Sequence, residues 1–206
     1  MVISGRRSSS LKKAALHLAR YTVQVLPMVC DVRDERAVAA LLAAVRKRFR
    51  RLDILINNAG VAHENLPVEK LPVAAWREVI DTNLTGMFLV TRAALPLMKR
   101  GGTIVNNLSV AAKTAFPNMA GYVAAKHGAL GFTKTLREEL RPKGIRVIAL
   151  MLGAVDTDIW ESFWSDAPRK KMMSAETVAR AVVDALRLPH NSTVEEMVIR
   201  PTVGAL

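Results

Sequence analysis

Apolar residues along the chain fall into two patterns, short unbroken runs and longer stretches in which they recur every three or four positions. The short runs predict β-strands, and the periodic stretches predict amphipathic helices. The predicted strands span residues 1–4, 22–29, 52–56, 103–108, 145–150 and 197–200, and the predicted helices span residues 8–18, 34–51, 76–81, 84–99, 121–140 and 174–188. Strands that alternate with helices are typical of parallel βαβ units, so we expect an α/β fold with a three-layer parallel sheet.

Size and composition predict one domain over residues 1–206, because 206 residues suffice for a substantial core and no repeat or linker interrupts the chain. Half of the residues are hydrophobic, which suits parallel strands buried under helices. The single cysteine, Cys30, excludes an internal disulfide and fits a reducing, cytoplasmic compartment. No apolar run approaches the ~18 residues that a membrane-spanning helix needs, so we expect no membrane association.

The formal charge of +12 raises nucleic acid as a possible partner. The cations are spread over several segments, and the one dense run, residues 46–51, lies at the end of a predicted helix, where cations complement the helix dipole. Interleaved aromatic residues, a helix-turn-helix pattern and Cys/His metal-ligand spacing are all missing from the sequence, so we expect no metal site. A solvated surface or a small anionic ligand is therefore favoured over nucleic acid. A nucleic-acid-binding protein would instead show retention on DNA that depends steeply on salt concentration.

Polar and glycine-containing signatures follow five of the predicted strands, at the point where each strand ends. They are Gly5-Arg6, Asp31, Asn58 to Gly60, Ser109, and Gly153 to Thr157. Ligands of parallel sheets bind outside the carboxyl ends of the strands. The sequence therefore predicts a nucleotide or substrate cleft at this edge of the sheet.

Tyr122 and Lys126 lie four residues apart on a predicted helix, so the phenol and the ammonium can point into the same cleft. A neighbouring cation favours the phenolate, which would make this tyrosine a plausible proton donor and acceptor near neutral pH. Taken alone, the pattern favours a half-buried tyrosine above a solvated lysine, because so short a pattern recurs by chance.

Four motifs together make the chain resemble the short-chain dehydrogenase/reductase family. Asn57-Asn58-Ala59-Gly60 follows a strand, and Asn83 lies within Asp81-Thr82-Asn83-Leu84-Thr85-Gly86. Ser109 precedes Tyr122 by thirteen positions and Lys126 follows it by four, while Gly153 and Thr157 match a Pro-Gly-x-x-x-Thr segment in which Leu152 replaces the proline. The resemblance covers essentially the whole chain and implies a Rossmann-type sheet.

The resemblance also implies a reaction, hydride transfer between a nicotinamide and a carbonyl or carbinol carbon. Tyr122 would donate or accept the proton of the substrate oxygen, and Ser109 would hydrogen-bond that oxygen. Lys126 would lower the pKa of Tyr122 and hold the nicotinamide ribose, and Asn83 would hold a water that links Lys126 to solvent.

The residues after the first strand predict the cofactor. Relatives selective for NAD carry an acidic residue there, whereas this chain has Gly5 followed by Arg6 and Arg7. Guanidinium groups pair with a 2′-phosphate, so NADP is favoured over NAD. The alternative is two ordinary surface arginines.

The resemblance assigns further contacts to the cofactor. Asp31 would accept from the adenine amino group and Val32 would supply a backbone contact, although Asp31 could equally be a turn or helix-cap residue. Asn58, Ala59 and Gly60 would let the backbone approach the adenosine ribose. Gly153, Val155 and Thr157 would lie beside the cofactor, with Thr157 on the carboxamide or pyrophosphate.

The family's opening strand and its Gly-rich phosphate turn are missing from this sequence. We therefore expect an N-terminally truncated chain, in which two parallel strands keep unpaired edges or adopt a pairing that the family does not use. We also expect poor NADP(H) binding and marginal folding, because the pyrophosphate loses its backbone donors. The alternative to an enzyme is a non-catalytic binding protein.

The segment 158–173 lies where the family closes over its substrate and offers Trp160, Phe163 and Trp164 as apolar cover. The C-terminal residues 193–202 resemble those of NADP-dependent 3-hydroxy-acid dehydrogenases of the family. Ketoacyl thioester reduction and general carbonyl reduction remain open. Relatives usually form homo-oligomers, so the resemblance also implies a tetramer or dimer through the helices at residues 84–99 and 121–140.

Overall fold

The computed structural model describes residues 1–21 and 23–204, in which six strands alternate with six α-helices. The strands are β1 (Val2–Gly5), β2 (Leu26–Val29), β3 (Ile54–Asn57), β4 (Thr103–Asn107), β5 (Arg146–Leu152) and β6 (Glu196–Ile199). The helices are α1 (Ser8–Ala19), α2 (Glu35–Phe49), α3 (Val73–Ile80), α4 (Gly86–Ala94), α5 (Ala120–Leu140) and α6 (Ala175–Leu186). Each predicted element is present, with ends that differ by a few residues.

All strand pairs are parallel, but the strands form two sheets rather than one continuous sheet. The first sheet is β1–β2, and the second has the order β3–β4–β5–β6. Within the described residues, β1 and β3 therefore each keep one edge without a partner strand, which is the first of the two outcomes expected above. Ile54 and Ile56 of β3 are 46% and 50% exposed, an unusual state for apolar side chains of a parallel sheet.

Strand β2 begins at Leu26 and is therefore shorter than the predicted strand at residues 22–29. Residue 22 lies outside the described residues. Val2, the first residue of β1, pairs with Leu26. Residues before Leu26 consequently have no strand of the first sheet to pair with, and the terminal ammonium of Met1 instead donates to the carbonyl of Gln24 at 2.7 Å.

The helix predicted at residues 84–99 is also shorter, ending at Ala94 before a 3₁₀ turn, Leu95–Leu97. Pro96 lies in that turn and cannot continue an α-helix, since it lacks an N–H and crowds the preceding turn. A π-helical segment, Asp81–Thr85, joins α3 to α4 without an intervening loop. The two helices predicted here are therefore one continuous helical segment, with Asn83 in its π-helical part.

The core has helices on both faces of the four-stranded sheet, as predicted for three layers. Ile104 of β4 and Val147 of β5 lie in one cluster with residues of α5. The alternate residues Val105 and Ile148 lie in another cluster with Val178 of α6. Helix α2 contributes four buried residues to a third cluster, against which Met28 and Leu55 of the two sheets pack. The predicted fold class is confirmed.

A buried polar network fixes α5 against the sheet. Asn57 Nδ2 donates to Thr91 Oγ1 at 3.0 Å and to Asn106 Oδ1 at 2.8 Å. Asn106 Nδ2 donates to Thr133 Oγ1 at 2.9 Å, and Thr133 Oγ1 donates to the carbonyl of Ala129 at 2.6 Å. Because buried polar groups are costly unless paired, this network specifies how β3, α4, β4 and α5 sit together.

Among the described residues, no helix is both long enough and apolar enough to cross a lipid bilayer.

Candidate active site

Helix α5 and the carboxyl end of β4 together position the predicted catalytic residues. Ser109 lies two residues after β4 and opens a 3₁₀ turn, Val110–Ala112, in which its hydroxyl accepts from the Ala111 N–H at 3.1 Å. Tyr122 and Lys126 lie one turn apart near the start of α5. A side-chain hydrogen bond joins Tyr122 to Ser109.

Lys126 is only 5% exposed, so the solvated lysine of the alternative interpretation is excluded. Its ammonium donates to the carbonyl oxygen of Asn107 at 3.1 Å. It also lies 5.5 Å from the centroid of the Tyr122 ring, within the range of a cation–π contact. The lysine is thereby held between the end of β4 and the tyrosine.

Burial dominates the pKa of Tyr122 in this structure, so the lowering of that pKa by Lys126 stays a prediction. Burial raises the pKa of Tyr122 above its ordinary value, and the hydrogen bond with Ser109 opposes this rise. Burial likewise lowers the pKa of Lys126 to about 8. The physical reason is that a buried site disfavours both charged forms, the phenolate and the ammonium.

Asn83, in the π-helical segment between α3 and α4, is 1% exposed and holds the loop that follows β3. Its Oδ1 accepts from the Val61 N–H at 2.8 Å, and its Nδ2 donates to the Val61 carbonyl at 2.8 Å. Both polar ends of the side chain are thus engaged with backbone, which fixes the start of the loop beside the Lys126 ammonium.

The predicted cofactor residues Asn58, Ala59 and Gly60 lie exposed at the end of β3. A Cβ built on Gly60 would lie 3.5 Å from Asn83 Oδ1 and 3.9 Å from Lys126 Nζ. Asn58 Oδ1 accepts from Asn107 Nδ2 at 2.6 Å. The fold therefore brings this stretch together with Asn83 and Lys126 at one edge of the sheet.

A second group of predicted cofactor residues gathers at the ends of β1 and β2. Arg6 lies 3.4 Å from Glu78, and Arg7 is an exposed residue directly before α1. Asp31 is not free, because the guanidinium of Arg33 binds both of its carboxylate oxygens, with distances of 3.0 Å from Nε and 2.6 Å from Nη2.

Arg33 was missed by the sequence reasoning. Its hydrogen bonds to Asp31 lower the pKa of that carboxyl group, and its Nη1 also lies 3.6 Å from Glu78. Its position two residues after Asp31 could have indicated an ion pair between the two side chains. In a chain with 30 lysines and arginines, however, one more arginine carries little information. The cluster at this end of the first sheet therefore holds two arginines and two carboxylates.

Val32 packs against the start of α4. A Cβ built on Gly86 would lie 2.6 Å from Val32 Cγ2, so the helix can approach this closely only because residue 86 is glycine.

The third predicted group follows β5. The Gly153 N–H donates to the Ile199 carbonyl at 2.8 Å, and the Val155 carbonyl accepts from Trp160 Nε1 at 2.8 Å. The carbonyl of Thr157 accepts from Arg169 Nη1 at 2.6 Å. Within the part of the chain that the structure describes, no hydrogen bond joins this group to Tyr122 or Lys126.

A model of the family described as short chain dehydrogenase matches residues 1–168. The chain belongs to the short-chain dehydrogenase family. Sulfoacetaldehyde reductase 2 of Chromohalobacter salexigens is 33% identical over 98% of this chain and 84% of its own length. The predicted family and the predicted enzyme class, an oxidoreductase, are confirmed.

Two solved structures superpose on the whole of this chain. One is an alcohol dehydrogenase from the archaeon Thermococcus sibiricus complexed with 5-hydroxy-NADP, with a TM-score of 0.91, 28% identity and 87% of that chain covered. The other is an actinorhodin polyketide ketoreductase with NADPH, with a TM-score of 0.85, 30% identity and 87% of that chain covered. The likeness places this chain's fold among enzymes solved with nicotinamide cofactors.

Proposed function

We propose that this short-chain dehydrogenase interconverts a small carbonyl compound and its alcohol, with NADP(H) as cofactor and Tyr122 as the proton donor and acceptor. The observation that carries the proposal is the meeting of three groups at one sheet edge: the Tyr122 phenol bonded to Ser109, the buried ammonium of Lys126, and Asn83 behind it.

The residues at this edge fit a nicotinamide cofactor. The buried Oδ1 of Asn107 has no hydrogen-bond partner among the described residues, although the carbonyl of the same residue accepts from Lys126. A ribose hydroxyl could donate to that oxygen, and the exposed Gly60 leaves room for a ligand to approach. When bound, the nicotinamide would supply or take up the hydride.

The chain's own residues would handle the proton. During reduction, the Tyr122 hydroxyl donates its proton to the substrate oxygen, while the Ser109 hydroxyl holds that oxygen at hydrogen-bond distance. A charged Lys126 stabilises the phenolate that this step leaves behind, because opposite charges attract strongly in a buried site. The raised pKa of Tyr122 keeps the phenol protonated and therefore ready to donate.

The arginines near β1 support NADP over NAD. The side chain of Arg6 is half exposed, and Arg33 neutralises the carboxylate of Asp31 that would otherwise repel a phosphate. The NADP-containing solved structures of relatives support the same choice. The expectation of weak NADP(H) binding stays a prediction. Calorimetry with NADPH tests it, and a dissociation constant in the micromolar range would contradict it.

The substrate site would lie under the segment after β5. The rings of Trp160 and Phe163 lie 4.8 Å apart between centroids, and those of Trp160 and Trp164 lie 6.0 Å apart. This aromatic cluster supports a substrate with an apolar portion.

An exposed aromatic side chain on helices α4 and α5 supports a homo-oligomer. Phe88 of α4 is 42% exposed and packs against Phe132 of α5. Light scattering would detect the oligomer.

The deciding experiment measures NADPH oxidation with a panel of aldehydes, ketones, 3-oxo acids and 3-oxoacyl thioesters. We expect Tyr122→Phe to lower kcat by about 100-fold or more, because the loss of a general acid usually has an effect of that size. The matched control is Tyr21→Phe, since Tyr21 is the other tyrosine of the chain and is 65% exposed. Undiminished turnover by Tyr122→Phe would refute the mechanism, and a non-catalytic protein would show no turnover with any carbonyl.

A further inference from the structure

Helix α5, which carries Tyr122, begins without a cap of its own. The N-cap residue, Met119, makes no side-chain hydrogen bond, and no acidic residue lies in the first turn. The first N–H groups of a helix have no acceptor within the helix, and leaving them buried without one is costly. The acceptor must therefore come from elsewhere in the chain.

His63, 58 residues before Gly121 in sequence, supplies it. Its Nε2 lies 3.2 Å from the Gly121 nitrogen and 3.4 Å from the Tyr122 nitrogen, and both N–H groups point at it. Its Nδ1 lies 2.7 Å from the carbonyl oxygen of Glu64. Because a carbonyl only accepts, Nδ1 carries the proton and Nε2 is left as the acceptor for the helix.

The surroundings of His63 are built to keep the ring in place. The residue is 4% exposed. A Cβ built on Gly121 would lie 3.1 Å from His63 Cδ2 and 3.2 Å from His63 Nε2, closer than most Cβ contacts allow. Glycine in the first turn therefore opens the space that the imidazole fills.

The loop that carries His63 is itself fixed at both ends. Asn83 binds the backbone of Val61 through two hydrogen bonds, as described above. The Leu66 N–H donates to the carbonyl of Asn118, just before α5, at 3.1 Å. An unbroken series of contacts thus runs from Asn83 through the loop and His63 to the backbone of Tyr122.

We propose that neutral His63 is a positioning residue, which caps α5 and so sets the place of the Tyr122 phenol relative to Ser109. Its hydrogen bonds within the described part of the chain go to backbone groups, those of Glu64, Gly121 and Tyr122, so it acts through the backbone of the first turn. An imidazolium could not serve, because it lacks an acceptor and would face the partial positive charge of the helix N-terminus. The effect on turnover rests on the proposed function, whereas the cap itself does not.

The test compares His63→Gln with His63→Met. Glutamine can place its carbonyl oxygen near the position of Nε2, whereas methionine fills a similar volume without an effective acceptor. We expect amide hydrogen exchange at Gly121 and Tyr122 to be faster in His63→Met than in the wild type, and close to wild type in His63→Gln. Exchange near Leu136, at the far end of α5, should not change.

The kinetic arm uses NADPH and the best carbonyl substrate. We expect kcat of His63→Met to fall about tenfold to a hundredfold, as for small misplacements of a reacting group, with KM for NADPH unchanged and with rescue by glutamine. A wild type without turnover would refute the proposed function but leave the exchange result valid. Unchanged exchange in His63→Met, or equal kcat losses in both variants, would refute the cap.

A further measurement covers the case in which His63→Met does not fold. Nitrogen-15 NMR of wild-type His63 should show the tautomer with a proton on Nδ1 and none on Nε2. The opposite tautomer would overturn the proposal without any variant.

Discussion

The ammonium of Lys126 lies 5.5 Å from the centroid of the Tyr122 ring, in contact with the face of the ring. Burial shifts the pKa values of these two residues in opposite directions. It raises the pKa of Tyr122 and lowers the pKa of Lys126 to about 8. The site is consequently tuned to hold a neutral phenol and a lysine that loses its proton in mildly alkaline solution. Stability and activity should both depend on that lysine.

The first prediction concerns stability against pH. The folded pKa of Lys126, about 8, lies below its ordinary value of 10.5, so the unfolded chain binds more protons between these two values. The free energy of unfolding should therefore rise with pH in that window, because the cost of burying the charge is lifted. Relative to Lys126→Met, the wild type should gain about 3 kcal/mol across the window.

Urea unfolding of both proteins, followed by circular dichroism below pH 8 and near pH 10, measures this difference. Comparing the two proteins at each pH cancels the titration of all other groups. A wild type that loses stability relative to Lys126→Met on going to alkaline pH would contradict the lowered pKa.

Ser109→Ala should raise the pKa of Tyr122 further, because the hydrogen bond with Ser109 is the contribution that opposes burial. The chain has two tyrosines, so the measurement uses a Tyr21→Phe background in which Tyr122 is the single phenol. Absorbance of the tyrosinate during an alkaline titration reports the midpoint. A midpoint that stays in place or moves down on removing the Ser109 hydroxyl would contradict this account.

Much of this site could be predicted from sequence, because spacing along a helix and position after a strand constrain where side chains lie. Tyr122 and Lys126 lie on one helix face as their four-residue separation requires, and Ser109 lies at a strand end. The depth at which Lys126 is buried could not be predicted, since it depends on tertiary packing. That depth explains why burial raises the pKa of Tyr122 although an ammonium lies beside its ring.

The fold shows the same division. Alternating strand and helix patterns predicted the parallel α/β architecture, and comparison with the family's strand pattern predicted the unpaired edges seen at β1 and β3 within the described residues. The π-helical segment Asp81–Thr85 could not be predicted, because a π-helical turn leaves no distinct hydrophobic period in the sequence. The pairing of Arg33 with Asp31 was missed because side-chain rotamers decide surface ion pairs.

Arg33→Ala should weaken NADPH binding about tenfold, the scale of one charge-assisted hydrogen bond, while changing NADH binding little. The substitution removes a cation and also frees the Asp31 carboxylate to repel a 2′-phosphate. Dissociation constants for both cofactors, from fluorescence titration, give the ratio. Adding Asp31→Asn to Arg33→Ala should recover part of the lost NADPH affinity. Equal losses of affinity for NADPH and NADH would show that Arg33 does not act on the 2′-phosphate.

Asn106→Ala should lower the free energy of unfolding by about 2–4 kcal/mol, since it leaves buried groups of the network without their partners. Asn106 is fully buried and joins Asn57 to Thr133. The adjacent Asn107→Ala is the matched control, because it loses a single exposed hydrogen bond to Asn58. Urea unfolding measures both, and equal losses would show that the buried network does not specify the packing of α5.

Two helical glycines of this chain should respond oppositely to alanine. Gly131→Ala meets no atom within 4 Å, so it should raise the free energy of unfolding by about 1 kcal/mol through helix propensity alone. Gly86→Ala places a Cβ 2.6 Å from Val32 Cγ2 and 3.2 Å from the Asp81 carbonyl oxygen, where a β-branched side chain and the backbone have little freedom to move.

We expect Gly86→Ala to cost about 1–3 kcal/mol, as overpacking does, and to displace Val32 in the loop that follows β2. Since Val32 is a proposed cofactor contact, NADPH binding should weaken in this variant and remain unchanged in Gly131→Ala. Thermal unfolding with and without NADPH separates the two effects, because only a binding-competent protein is stabilised by its ligand. A Gly86→Ala protein as stable as Gly131→Ala would show that α4 can move away from β2, and that the close approach at Gly86 does not hold the cofactor edge in place.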